Sequence, residues 1–150
     1  MATFKFRLAT LLRLRELARD ERRSELAQAY RAQDLLEGQK RRIEEHLDDL
    51  RQRTRRVSSP GEIDVDRLME ARRFEMVLLA QRQDIGHKQE MLGAEIQRRR
   101  QAVVDANREV QVLQRLRERQ HESYRAEENR REIEQLDEIA QLRAVREEWP

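Results

Sequence analysis

Apolar residues in the first sixty positions recur at alternating steps of three and four. Leu8, Leu12, Leu26, Ala29, Leu36, Ile43, Leu47, Leu50 and Val57 fall on one seam of a seven-residue repeat, interrupted by Arg15, Arg19, Arg22, Gln33, Lys40 and Thr54. Near the start, Leu11, Leu14, Leu17 and Ala18 broaden the stripe, as on an amphipathic face that meets more than one neighbour. The repeat stops at Val57-Ser58-Ser59-Pro60-Gly61. Pro disfavours helix at the residue before it and has no backbone N–H to donate. It is tolerated in a first helical turn, where Ser59 and Glu62 have capping-box spacing and Asp64 or Asp66 would cap equally well. The second half then carries the cleaner repeat. Leu78, Ile85, Leu92, Ala106 and Leu113 alternate with Ile96, Val103, Val110 and Tyr124, and the defects are Arg82, Gln89, Arg99 and Arg117. Ile133, Leu136, Ala140 and Leu142 rebuild a stripe near the end.

This pattern predicts an all-α chain, with helix 1 over about 4–57, a turn over about 58–64 and helix 2 over about 65–147. A lone amphipathic helix cannot bury its stripe, and one short break is what folding back requires. The expected architecture is an antiparallel coiled-coil hairpin, a single rod-like domain packed in the left-handed manner. The second helix should overhang the first from roughly Gln120 onward, and an unpaired apolar stripe invites a partner. Gly86 and Gly93, seven apart, mark either a close helix crossing or exposed weak points, each costing about 1 kcal/mol against Ala.

Composition supports the long-helix reading. Charged residues make up 41% of the 150 and hydrophobic residues 37%, with four Gly and two Pro; disorder at this charge would bring more Pro and Gly. There is no Cys, which excludes disulfides, thiolate metal sites and cysteine nucleophiles. No stretch is apolar enough to span a bilayer, and the start is charged too early for a signal-peptide core. Formal net charge is +2, unevenly spread: residues 1–60 hold 15 basic and 10 acidic side chains, and residues 121–150 hold 5 and 9.

Site chemistry is scarce. His46, His87 and His121 are never three or four apart, so they read as members of surface ion pairs and not as metal ligands. Carboxylate pairs such as Glu44–Asp48 and Glu134–Glu138 would need an enclosed pocket to do acid–base work, and two helices offer none. No nucleotide loop or nucleophile elbow is present. The chain therefore reads as a binding protein with no cofactor and no small-molecule substrate. Lys40-Arg41-Arg42, Arg51 to Arg56 and Arg98-Arg99-Arg100 fan around a helix, which suits a solvated or protein-docking face better than nucleic acid. The stretch 4–18 also has the pattern of an interfacial helix, which would rest on an anionic membrane. Tyr30 and Phe74 read as packing residues, and Trp149 as either loose or a small anchor.

The chain opens with Phe4-Lys5-Phe6-Arg7-Leu8 followed by Leu11-Leu12-Arg13-Leu14-Arg15, and near its other end runs Glu134-Gln135-Leu136-Asp137-Glu138-Ile139-Ala140. In these two stretches it resembles the flagellar export protein FliJ family. The resemblance implies a non-enzymatic component of the flagellar type III export apparatus, cytoplasmic and peripherally associated with the inner-membrane machinery. It implies binding to the export ATPase hexamer, the export gate protein and the export chaperones. Leu8, Leu11, Leu12, Arg13, Leu14 and Arg15 would form the segment that meets the ATPase. Glu134, Leu136, Asp137 and Glu138, with Ile133 beside them, would form the other part of the same tip, because antiparallel helices bring the two ends together. An injectisome stalk protein of the same architecture and a general coiled-coil scaffold are the alternatives.

Overall fold

The computed structural model describes residues 3–57, 61 and 63–147. Two long helices pack together, α1 (Ala9–Val57) and α2 (Val65–Glu147). Ser58, Ser59, Pro60 and Glu62, and with them the Ser59–Glu62 capping box, lie outside the described residues, as does Trp149. Of the alternative caps, Asp64 is the one used. Its Oδ1 accepts from the N–H groups of Asp66 (3.2 Å) and Arg67 (3.3 Å), two donors that the first turn of α2 leaves without a helical partner.

Helix α1 begins later than the periodicity predicts. Residues 4–8 are not helical, and Ala9 N–H donates to the Phe6 carbonyl (3.2 Å) as the helix opens. The reason lies in Phe4 and Phe6. Two residues apart, they share a side only in an extended chain; a helix would separate them by about 200°. Outside the helix, Phe6 is buried and Phe4 half-buried against α2, and the membrane-surface helix over 4–18 loses its first turn.

Tertiary contacts divide the chain into two compact units. In Glu21–Val104 the core is Ile43, Leu47, Leu78 and Ile85, flanked by Leu36, Leu50 and Leu79. The helices there run antiparallel: Arg51 faces Glu75 (3.8 Å), Gln89 donates to Glu37 (2.9 Å), and Arg100 donates to the Tyr30 hydroxyl (2.6 Å). Two polar interruptions of the seam, Thr54 and Arg99, are satisfied in place. Thr54 donates to the Leu50 carbonyl (2.8 Å), and Arg99 spans to the Glu25 carbonyl while donating to Glu95 (2.9 Å). That second bond, with the charges of Arg98 and Arg99, holds the Glu95 carboxyl below its ordinary pKa, against a smaller opposing effect of burial. A Cβ on Gly86 or Gly93 would meet nothing within 4 Å, so of the two readings of these glycines the open one holds.

The second unit joins Met1–Asp20 to Asp105–Pro150. Its core is Phe6, Leu12 and Val110, with Phe4, Leu113 and Leu116 packed against them. Arg15 pairs with Glu109 (2.9 Å), and Phe4 lies on His121 and Tyr124 with ring centroids 5.2 and 5.7 Å apart. Order along the two segments is again opposed.

Candidate functional site

The unit holding the start of α1 also holds the end of α2, so every sequence-predicted site residue lies within it. They do not form one patch. Leu12 is 5% exposed and belongs to the core; it shapes the surface without offering any. Leu8 and Leu11 are at the margin of exposure and Leu14 is well exposed. Arg13 is exposed and borders a groove of about 420 Å³ with Phe4, Phe6, Leu12, Glu16 and Arg117. Arg15 is engaged with Glu109. These residues sit opposite Val110 to Leu116, whereas Ile133 lies 17 positions beyond Leu116, about 26 Å further along the helix axis.

From Asn129 to Glu147 every residue is exposed, a helical segment about 28 Å long with no apolar partner among the described residues. The overhang therefore starts after Tyr124 and Glu128, both half-buried, and not at Gln120. The non-helical Phe4–Phe6 segment carries contact along α2 as far as His121 and Tyr124. Glu134 accepts from Arg130 (3.0 Å) and Arg131 donates to Glu127 (2.6 Å), exposed pairs four apart that support the helix locally. Asp137 and Glu138 are exposed. Tyr124 donates to Glu128 (2.7 Å), a bond made by the neutral phenol, which together with partial burial raises its pKa.

Five large apolar side chains of this segment are open to solvent: Ile133, Leu136, Ile139, Leu142 and Val145. They are spaced by three, and at about 100° per residue each step of three turns back about 60° around the helix. The five thus wind through about 240°. Ile133, Leu136 and Ala140 share one flank; Ile139, Leu142 and Val145 lie round the other side. Ile139 and Val145 were not singled out by heptad reasoning, since a step of three drifts off any seven-residue seam. The unbroken i, i+3 series was the available signal. Phe4 and Phe6 as covering residues were missed for the matching reason, a period of two read inside a helical pattern.

Among the described residues no group of His, Asp and Glu is arranged to hold a metal ion, and no helix is long and apolar enough to cross a membrane. His87 makes an ordinary surface contact with Glu90 (3.9 Å). Residues 4–148 match the flagellar FliJ protein family. The chain belongs to that family. As a FliJ family member it is a non-enzymatic component of the flagellar export apparatus. The match spans the non-helical start, both helices and the exposed end of α2, so the features described above all fall within the family's extent. Neither a curated protein nor a solved structure matches the chain.

Proposed function

We propose that this FliJ family member works in the cytoplasm, at the membrane-associated export machinery, by inserting the end of α2 into the export ATPase ring. The remainder of the helix pair then links that ring to the export gate and to substrate chaperones. The observation that carries the reading is the winding of Ile133, Leu136, Ile139, Leu142 and Val145 around α2. A single partner helix covers one stripe of about 100°. A socket with walls on several sides, such as the centre of a ring, covers a spiral. Leu8, Leu11, Leu14 and Arg13 supply a secondary contact at the rim, while Arg15 and Leu12 hold the helix pair in register. Glu134, Asp137 and Glu138 favour a socket with basic groups at its mouth.

The test is capture of the purified export ATPase by the full chain. Leu136→Glu with Leu142→Glu places charge on both flanks of the exposed segment, where no packing is lost, so helicity and melting temperature should stay unchanged while capture is abolished. Unchanged capture by this folded variant would remove the tip from the reading.

A further inference from the structure

Toward the turn, the seam between the helices closes incompletely. Leu47 and Leu78 are buried, but beyond them Leu50, Thr54, Leu68 and Ala71 are all only half-buried. Thr54 and Ala71 are too small to fill the seam, and the Thr54 hydroxyl is already satisfied by the Leu50 carbonyl (2.8 Å). A groove of about 520 Å³ is left, lined by Leu50, Leu68 and Ala71 and rimmed by Arg51, Arg55 and Arg72. One carboxylate, Glu75, stands among the three guanidinium groups, 3.8 Å from Arg51 and 2.8 Å from Arg72. Arg55 has no ion pair among the described residues.

The end of α2 has the complementary make-up. At about 100° per residue, Ile133, Leu136 and Ala140 fall within about 60° of one another, a three-four step with no helix opposite it. Glu132 and Asp137 border that flank, one about 40° beyond each edge, and neither has an ion pair among the described residues. From Glu132 to Leu142 there are four carboxylates and no basic side chain. One surface is thus an apolar groove with basic rims, and the other an apolar ridge with acidic rims.

We propose that this chain binds a second copy of itself: the Ile133–Leu136–Ala140 flank of one copy seats as a third helix in the Leu50–Leu68–Ala71 groove of another. Glu132 and Asp137 then face the arginines on the two sides of the groove. The occupant is a second copy because the chain carries both halves of the contact, and α2, unbroken from Val65 to Glu147, cannot fold its own end back onto Ala71. The contact requires no ATPase. It joins two different patches, so it is heterologous.

Sedimentation equilibrium of the full chain tests this, over dilutions up to about 0.5 mM, where weak contacts are populated. In low salt the mean mass should rise with concentration above the 18.2 kDa of one chain. Raising salt from about 0.05 M to about 0.5 M should weaken the association at least about tenfold, because the rim charges are exposed and screened. Arg55→Glu/Arg72→Glu reverses the groove and Glu132→Arg/Asp137→Arg reverses the ridge. All four side chains are exposed, so circular dichroism should show both variants as helical as the parent. Each variant alone should stay at the mass of one chain. Mixed in equal amounts they should associate again, since the acidic groove of the first fits the basic ridge of the second and the two unaltered surfaces still fit each other. A parent chain that keeps one mass at every concentration in low salt overturns the proposal. So does association that survives either reversal, or a mixture that stays at the mass of one chain.

Discussion

Leu47 and Val110, at 2% and 1% exposure, are the most deeply buried side chains of the two hydrophobic clusters. Leu47→Ala should cost about 2–5 kcal/mol, read from the midpoint of thermal or urea unfolding followed by circular dichroism. The reverse holds at Gly86 and Gly93. Both are within α2, a Cβ meets open space at each, and Ala substitution should stabilise by about 0.5–1 kcal/mol per site in the same measurement. A loss of stability there would mean that the backbone at these positions is not free to carry a side chain. Titration adds two opposite signs. Glu95, held below its ordinary value chiefly by Arg99, contributes stability above that value and loses it as pH falls through the depressed one. Tyr124, raised by its bond to Glu128, contributes below the ordinary phenol value and loses it as pH climbs through the raised one. Melting temperature against pH should therefore decline at both extremes. Glu95→Gln should flatten only the acid limb and Tyr124→Phe only the alkaline one. Residue identity in the core was readable from the repeat: Leu12, Ala29, Ile43, Leu47, Leu78, Ile85, Ile96 and Val110 are seam positions and are buried. What the repeat could not assign was the fate of its polar interruptions, because Arg99 reaches a backbone carbonyl that no side-chain pattern records.

At the scale of elements, a seven-residue period with one Pro-Gly break was enough to give two helices and their antiparallel sense. Within the described residues the helices begin at Ala9 and Val65. The first start depends on tertiary contact: Phe6 prefers a pocket formed by α2 to a place in a first helical turn that lacks an acidic residue. Local pattern carries no information about such a pocket. The polar seam residue Arg99 offers an element-level test. Its guanidinium is partly exposed and bonded to Glu95 and to the Glu25 carbonyl, so it contributes register more than net stability. Arg99→Leu should raise the unfolding midpoint or leave it unchanged. Sedimentation should then show more self-association, since the apolar seam no longer penalises a shifted pairing. A large drop in midpoint with no change in mass would instead make Arg99 a plain stabilising contact.

For the molecule as a whole, family membership follows from the sequence along nearly its full length, while the proposed docking surface is read from what the fold leaves uncovered. The site expected from the sequence combined both chain ends; the structure spends Leu12 on the core and Arg15 on Glu109, and leaves the α2 end standing alone. That solitary segment has a thermodynamic consequence. Most helix stability in water comes from packing an apolar face, which this end of α2 lacks among the described residues, and surface pairs such as Arg130–Glu134 and Arg131–Glu127 return only about 0.2–0.5 kcal/mol each. Residues 129–147 should thus melt well before the rest. In limited trypsin digestion the first cuts should fall at Arg130, Arg131, Arg143 and Arg146, and on the proposed reading bound ATPase should suppress them. On the docking reading proposed above, a recognition element that frays so easily in the free chain yields part of its contact energy to ordering. Its grip would then be loosened by any change of shape in the socket that holds it.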